Sequence, residues 1–219
     1  MHHSALIVDD DECTLDALSG VLHLHLPSLN VDTSSSPRAA CHHVEAKSYS
    51  VVVTDVSMPG MDGFSLLAKL QKSESGTPVI FMTGLASVTL AERAFGAGAF
   101  DMLPKPVRRE TLVASLCQAL RAQDLARDIG SADERLRRLQ HHLCAINAEL
   151  ASLGRQAARL LNPTIAEAAI LYSRAAAERR HAQLSIEEFQ RRRTVLRQAL
   201  RAIRDNAYQA ALVRVRGLG

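Results

Sequence analysis

The sequence predicts an α/β fold with a parallel sheet in its first 120 residues and an all-helical second half. Short runs rich in β-branched residues alternate with amphipathic stretches in the first part, which is typical of strands joined by crossover helices. From about residue 125, apolar residues recur with a helical period. The charge changes at the same point. Residues 1–119 contain 8 Lys+Arg and 13 Asp+Glu (net −5), whereas residues 120–219 contain 18 and 10 (net +8), which indicates two parts with different partners.

The predicted elements of the first half follow from the apolar runs and from the turn residues between them. We place five strands near 4–9, 29–33, 50–55, 78–83 and 100–103. We place helices near 13–25, 37–47, 63–72, 87–97 and from about 108 onward. Parallel strands joined by right-handed crossovers bring their carboxyl ends to one edge of the sheet, where open α/β sheets bind their ligands.

Four of these strand ends carry an acid, a hydroxyl group or a lysine. The first strand ends in Asp9 and Asp10, the third in Asp55 and the fourth in Thr83, while Lys105 follows the fifth. Carboxylate oxygens are the ligands that Mg²⁺ prefers in proteins, and the three acids are of that type. A bound metal, a lysine and a hydroxyl group around a carboxylate would suit the transfer of a phosphoryl group to that carboxylate.

Four sequence segments occur in a fixed order within about residues 4–120: LIVDDDE, VVVTDVSMPGMDGF, PVIFMTG and GAGAFDMLPKP. This ordered set resembles the receiver domain of bacterial two-component response regulators. The resemblance implies a flavodoxin-like (βα)5 fold with strand order 2-1-3-4-5. It also implies that a sensor histidine kinase is the phosphoryl donor and that Mg²⁺ is the cofactor.

The resemblance assigns roles to the acidic residues. It implies that Asp55 is the phosphoacceptor. It further implies that Asp9, Asp10 and Asp55 bind Mg²⁺ together with the backbone carbonyl of Ser57. We expect no catalytic activity other than phosphorylation and dephosphorylation of the protein's own Asp55.

The resemblance also assigns a conformational switch. It implies that Thr83 and Lys105 sense the phosphoryl group, and that a cis peptide bond precedes Pro106. The family usually has an aromatic residue three positions before this lysine. Here that position is Met102, so a flexible thioether replaces the ring that normally moves inward.

The second half begins with a heptad seam of about five repeats. The seam consists of Leu125, Ile129, Ala132, Leu136, Leu139, Leu143, Ile146, Leu150, Leu153, Ala157 and Leu160. A 3.5-residue period kept over this length is typical of a coiled coil. We predict a homodimer through a parallel coiled coil at 125–160, and favour it over an intramolecular hairpin.

A small basic helical unit is predicted after the seam. Asn162-Pro163 ends the seam, and capping-box patterns at Thr164 and Ser185 predict helices that begin near 165 and 186. We therefore divide the chain into a receiver domain at 1–120, a coiled-coil linker helix at 121–161 and a basic output unit at 162–219.

The output of this unit stays open between two main classes. Arginine pairs with phosphate, so the basic charge favours binding of DNA, or of RNA in the manner of the ANTAR antiterminators that the domain order resembles. The alternative is a protein-interaction output that regulates a kinase, a phosphatase or another partner. An enzymatic output, or phosphotransfer at His141 or His142, is disfavoured by the sequence around these residues. The nucleic-acid candidates are Arg191, Arg192, Arg193 and Arg197.

The sequence also predicts a cytoplasmic protein. Apolar runs fall well short of the ~18 residues that indicate a membrane span. The N-terminal apolar stretch is four residues long and leads into acids, so we expect neither a signal peptide nor a membrane partner. The four cysteines form no metal-ligand pattern, and we expect them to be reduced.

Overall fold

The structure is a computed structural model that describes residues 3–72, 76–157 and 165–217, without the side chains of 153–157 and 165–171. Its sheet contains five parallel strands in the order β2-β1-β3-β4-β5, which confirms the predicted order. The strands are β1 (His3–Val8), β2 (Leu29–Ser34), β3 (Val51–Asp55), β4 (Val79–Thr83) and β5 (Asp101–Pro104). The helices are α1 (Glu12–His25), α2 (Pro37–Ala46), α3 (Gly63–Lys72), α4 (Val88–Gly96), α5 (Arg109–Ala157) and α6 (Ile165–Arg216).

The sheet separates two apolar cores, because successive side chains of a strand point to opposite faces. On β3, Val52 packs in the core that contains Phe81 and Met102, whereas Val51 and Val53 pack in the core on the other face. All five residues of β3 are buried. A run of β-branched residues without polar alternation is the expected composition of a central parallel strand that is covered on both faces.

The chain forms two compact units. One contains residues 1–126 together with 200–219, and the other contains residues 127–199. The first unit therefore includes the sheet and the end of the chain, although they are far apart in sequence. This division differs from the predicted one, whose boundaries after 120 and 161 stay a prediction.

The second unit pairs α5 with α6 of the same chain. Ile146 and Leu150 of α5 pack in a buried cluster with Ala175 of α6. Further toward the start of α5, Asp133 forms ion pairs with Arg193 and Arg197 from farther along α6. Later positions on α5 thus contact earlier positions on α6, so the two helices pack antiparallel.

This pairing bears on the predicted coiled coil. The seam positions from Leu125 to Leu150 are buried or half-buried, as the sequence pattern predicts. At Ile146 and Leu150 the seam packs on α6 of the same chain, as in the intramolecular hairpin that the sequence analysis placed second. The homodimer through a parallel coiled coil stays a prediction. The buried residues Ala175 and Ala182 of α6 lie seven positions apart. Such small side chains let two helices approach closely. The last three seam positions lie outside the side chains that the structure describes.

The prediction of a helix that begins near 186 was also wrong. One helix continues from Ile165 to Arg216, past residue 186. The Ser185 hydroxyl donates to the carbonyl of His181, one turn earlier, at 3.0 Å. A serine can satisfy its hydroxyl group in this way inside a helix, so its capping pattern did not mark a helix start. The predicted cap at Thr164 lies outside the described residues. Across those described residues, no helix has the length and apolar character needed to cross a membrane.

Candidate functional site

Three carboxylates meet at the carboxyl edge of the sheet. Asp9 follows β1 and Asp55 ends β3, and these neighbouring strands run in register with Val8 beside Thr54. Asp9 and Asp55 are buried, whereas Asp10 is exposed. One oxygen from each of the three carboxylates lies within 4.8 Å of the others. This spacing fits a single divalent cation with oxygen ligands.

Backbone groups orient the two buried carboxylates. The amide of Val56 donates to Oδ1 of Asp55 at 2.9 Å, and the amide of Asp11 donates to Oδ1 of Asp9 at 3.1 Å. The other oxygen of each acid faces Lys105, whose Nζ lies 2.7 Å from Asp9 Oδ2 and 3.5 Å from Asp55 Oδ2. Backbone amides thus hold one oxygen of each carboxylate, and the other oxygen is directed at the lysine.

The backbone of β4 positions Lys105 and Thr83. The amide of Lys105 donates to the carbonyl of Thr83 at 2.7 Å, and the bond between Lys105 and Pro106 is cis, as the resemblance implied. The hydroxyl oxygen of Thr83 accepts from the amide of Leu85 at 3.1 Å. Asp55 is in register with Met82, so Thr83 lies one residue beyond Asp55 along the neighbouring strand.

Burial and charge act in opposite directions on the pKa values of this site. Burial raises the pKa of Asp55, the charge of Lys105 lowers it, and the charge of Asp9 raises it again, with a net increase. Burial lowers the pKa of Lys105, but the hydrogen bond to Asp9 and the charges of both acids outweigh burial and raise it overall. Close carboxylates destabilise each other's charged form, which a bound cation would relieve.

Gly63 supports the site and was not identified from the sequence. A Cβ atom at this position would lie 2.5 Å from the backbone oxygen of Asp55. The amide of Gly63 also donates to the carbonyl of Val56 at 3.0 Å, so the loop after β3 folds back onto the strand end. The glycine in the segment MDGF was the available signal for a close backbone approach.

The remaining residues of the predicted receiver site are Ser57 and Met102. Ser57 is exposed two residues after Asp55, and its carbonyl as a metal ligand stays a prediction. Met102 is fully buried in the core that contains Phe81. Asp11, which adjoins the acids, caps α1 by accepting from the amide of Cys13 at 3.0 Å.

The four candidate arginines lie in the second unit and have different surroundings. Arg191 and Arg192 are exposed. Arg193 and Arg197 pair with Asp133 at 3.0 and 3.3 Å. Arg191 also pairs with Glu187, one turn earlier, at 3.8 Å, so three of the four already have an acidic partner within the chain.

A third buried acid, Asp101, was also missed. Its carboxylate accepts from Ser115 Oγ at 2.6 Å and from the amide of Met102 at 2.8 Å, and it pairs with Arg214. Burial raises the pKa of Asp101, although the charge of Arg214 and these hydrogen bonds lower it in part. The sequence signal was an acid inside a short buried strand, which requires a partner.

Comparison with known proteins decides the family. The family model described as the response regulator receiver domain matches residues 5–117. This chain belongs to that family. It is 32% identical to the transcriptional regulatory protein FixJ of Bradyrhizobium diazoefficiens over 150 residues, which are 64% of this chain and 72% of FixJ. It is 37% identical to the C4-dicarboxylate transport transcriptional regulatory protein DctD of Pseudomonas aeruginosa over 121 residues, 55% of this chain and 26% of DctD.

Solved receiver structures share the fold of the first half. A CheY-like receiver domain protein from Methanospirillum hungatei is 27% identical, with a TM-score of 0.53, and the match covers 57% of this chain and 98% of that chain. The beryllofluoride-activated NtrC4 receiver domain dimer is 29% identical, with a TM-score of 0.52, and the match covers 55% and 98%. These relatives thus assign the receiver part of the chain to a family.

Proposed function

We propose that this receiver accepts a phosphoryl group on Asp55 from the phosphohistidine of a sensor histidine kinase. The observation that carries the proposal is the placement of Asp55 Oδ2. It lies 3.5 Å from the Lys105 ammonium group, in a cluster of three acids whose ligand oxygens are within 4.8 Å of one another. A cation site beside a carboxylate that faces a lysine suits the acceptance of an anionic group.

The chemistry is a displacement at phosphorus. A bond forms between an Asp55 carboxylate oxygen and phosphorus, while the bond between phosphorus and the donor imidazole nitrogen breaks and leaves its electron pair on the imidazole. Mg²⁺, when bound by Asp9, Asp10, Asp55 and the Ser57 carbonyl, would neutralise negative charge on the phosphoryl oxygens. Lys105 adds a positive charge beside Asp55, and the Thr83 hydroxyl can donate to a phosphoryl oxygen.

Labelling with acetyl phosphate and Mg²⁺ tests this assignment. We expect one phosphoryl group per chain in the wild type, measured by intact mass, and none in Asp55→Asn. The matched control is Asp16→Asn, since Asp16 is an exposed acid on α1 and outside the cluster. Equal labelling of the wild type and Asp55→Asn would reject Asp55 as the acceptor.

We further propose a gene-regulatory output through nucleic acid, either DNA or RNA bound in the ANTAR-like manner. The name of FixJ describes that relative as a transcriptional regulator. The proposal is supported by the net charge of +8 in residues 120–219, where 18 arginines stand against 10 acids. Exposed Arg191 and Arg192 are the leading phosphate contacts, since Asp133 already pairs with Arg193 and Arg197, whereas the pair of Arg191 with Glu187 is longer, at 3.8 Å, and joins two exposed side chains.

A salt series with generic DNA and RNA measures this output. Each phosphate contact contributes a slope of about −0.9 in a plot of log affinity against log salt for duplex DNA. The double variant Arg191→Gln/Arg192→Gln should therefore flatten the slope by about 2, because it removes two contacts. Arg108→Gln/Arg109→Gln, in the receiver, is the control and should leave the slope unchanged. No binding by the wild type would contradict this output.

The pairing of Asp133 with two of the four candidate arginines favours a second candidate. A helix pair whose arginines form internal ion pairs can serve as a protein-binding surface, with a kinase, phosphatase or other regulatory protein as partner. Absence of nucleic-acid binding in the salt series would support this alternative.

A further inference from the structure

A cleft of about 320 Å³ lies between the chain that follows β5 and the end of α6. Residues 103–108 and Thr111 form one wall, and Val213, Arg214 and Gly217 form the other. All of these residues belong to the compact unit that contains the sheet. Sites for small organic ligands typically have volumes of ~300–1,000 Å³. The cleft is therefore large enough for a small organic molecule.

The charged residues that line this cleft are all cations. Among the described residues of the lining, the cations are Lys105, Arg108 and Arg214, and none is an acid. Lys105 faces the acids of the candidate site, and Arg214 pairs with Asp101. Arg108 is exposed and forms no ion pair with any residue that the structure describes. Because one cation of the lining lacks an acidic partner, the cleft favours an anion of single charge.

Arg214 is held in a fixed position at the cleft. Its Nη2 atom donates to the carboxylate of Asp101 and to the carbonyl of Met102. Its Nη1 atom has no hydrogen-bond partner in the described part of the chain, and it is not among the buried polar atoms that lack one. Nη1 is therefore accessible. A guanidinium group that is already fixed loses less conformational entropy when it binds a ligand, so Nη1 is a preformed donor for an anionic group.

The rest of the lining is mainly apolar. Pro104, Pro106 and Val107 contribute from the chain after β5, and Val213 contributes from α6 with 71% of its surface exposed. Ligand sites commonly combine apolar walls with a few polar groups that fix the orientation of the ligand. A carboxylate is planar and singly charged, and its two oxygens match the donors of a guanidinium group. The lining thus fits a carboxylate that is attached to an apolar group.

We propose that this cleft binds a small organic monocarboxylate with an apolar body. The carboxylate contacts Nη1 of Arg214 and the side chain of Arg108, while the apolar body packs against Pro106 and Val213. A bound ligand thereby links the chain after β5 to the end of α6. The site goes beyond the proposed function, because it requires neither Mg²⁺ nor phosphorylation of Asp55.

Fluorine NMR on the full chain tests the class of ligand, with 4-fluorobenzoate as the probe and 4-fluorobenzamide as its neutral analogue. In buffer without Mg²⁺, the acid should bind saturably and about tenfold more tightly than the amide, because only the acid forms charge-assisted hydrogen bonds with the arginines. Equal affinities of acid and amide, or no saturable binding of the acid at millimolar concentrations, would overturn the proposal. Tighter binding of 4-fluorophenyl phosphate would overturn the assignment of a monocarboxylate.

Variants of the two arginines test the location of the site. Arg108→Gln should weaken the binding of 4-fluorobenzoate by about fivefold, because it removes an exposed cation. The matched control is Arg109→Gln, which should bind like the wild type, since Arg109 is also exposed but lies outside the lining and pairs with Glu110 at 2.7 Å. Equal affinities in these two variants would overturn the site.

Arg214→Lys separates the donor from the charge. Lysine keeps a cation for Asp101 but has no Nη1 atom, so 4-fluorobenzoate should bind more weakly than to the wild type. Unchanged affinity in this variant would overturn the contact with Arg214. Far-UV circular dichroism and urea unfolding confirm that each variant is folded under the conditions of the titration.

Discussion

The two ends of β5 carry two carboxylate–cation pairs that differ in what surrounds them. The two pairs are similarly buried, since 2% of the Asp101 side chain and none of the Asp9 side chain is exposed. At the start of the strand, one acid, Asp101, receives bonds from Ser115, Met102 and Arg214, and we call this pair closed. Beyond the end of the strand, Lys105 faces both Asp9 and Asp55, and the exposed acid Asp10 lies beside them. We call this second pair open, because three acids around one lysine leave negative charge for a cation.

Loss of Arg214 should have the largest effect on stability. Arg214→Met leaves Asp101 buried without its cation, which typically costs about 3–5 kcal/mol. Urea unfolding at pH 7 should therefore show a clearly lower free energy of unfolding than in the wild type. A loss equal to that in the exposed control Arg216→Met would mean that the pair has no structural role.

The cost of Arg214→Met should depend on pH. Burial raises the pKa of Asp101, and removal of the Arg214 charge raises it further. Because the folded pKa lies above the unfolded value, the native state binds the proton more readily and stability falls as pH rises between the two values. The difference between variant and wild type should be larger at pH 8 than at pH 4.5. Equal differences at both pH values would argue against ionised Asp101 as the cause.

Mg²⁺ should distinguish the two pairs. In Lys105→Met, Asp9 and Asp55 lose their ammonium partner, so Mg²⁺ should raise the melting temperature by more than in the wild type, and chelation should reverse the gain. At a Mg²⁺ concentration tenfold above its Kd, the expected stabilisation is about 1.4 kcal/mol. Arg214→Met should gain no more than the wild type, since its uncompensated acid is closed to the ion. Equal rises in melting temperature in the two variants would mean that the two pairs do not differ in their response to Mg²⁺.

Two glycines test the backbone support of the open pair. Gly63→Ala places a Cβ atom 2.5 Å from the Asp55 backbone oxygen, and overpacking of this kind costs about 2 kcal/mol. Gly20→Ala is the matched control, because Gly20 lies in α1 with nothing within 4 Å of its Cβ position. That change should stabilise by up to about 1 kcal/mol. Denaturant unfolding measures both, and effects of the same sign would contradict the steric argument.

The smallest expected effect concerns the molecular mass in solution, which should stay that of one chain. Because α6 covers the seam within one chain, light scattering of the unphosphorylated protein should give the mass of one chain, 23.8 kDa, across dilution. Leu150→Asp should lower helical content by circular dichroism without a change in mass. If the wild type were a dimer and Leu150→Asp converted it to a monomer, the predicted two-chain coiled coil would be correct.

The open pair could be predicted from the sequence because its signals are local. Asp9 and Asp55 end β-branched runs, and turn residues follow Asp55, so parallel topology alone brings them to one edge. The closed pair could not, since Arg214 lies 113 residues after Asp101 and neither has a periodic signature. The period of the seam was equally readable, but a period does not specify which helix covers it. The capping-box pattern at Ser185 led to a wrong helix start near 186, because such a pattern is also compatible with a helix interior.

The uninterrupted helix α6 limits which insertions the chain can accommodate. The helix extends without interruption from Ile165 to Arg216 and contributes to both compact units. Between the buried residue Ala207 and Arg214, an inserted residue rotates the later positions by about 100° around the helix axis and would turn Arg214 away from Asp101. Seven inserted residues restore that angle but displace Arg214 by about 10 Å along the axis, beyond the reach of Asp101. An insertion of any length in this part of α6 should therefore be as disruptive as the loss of Arg214 itself.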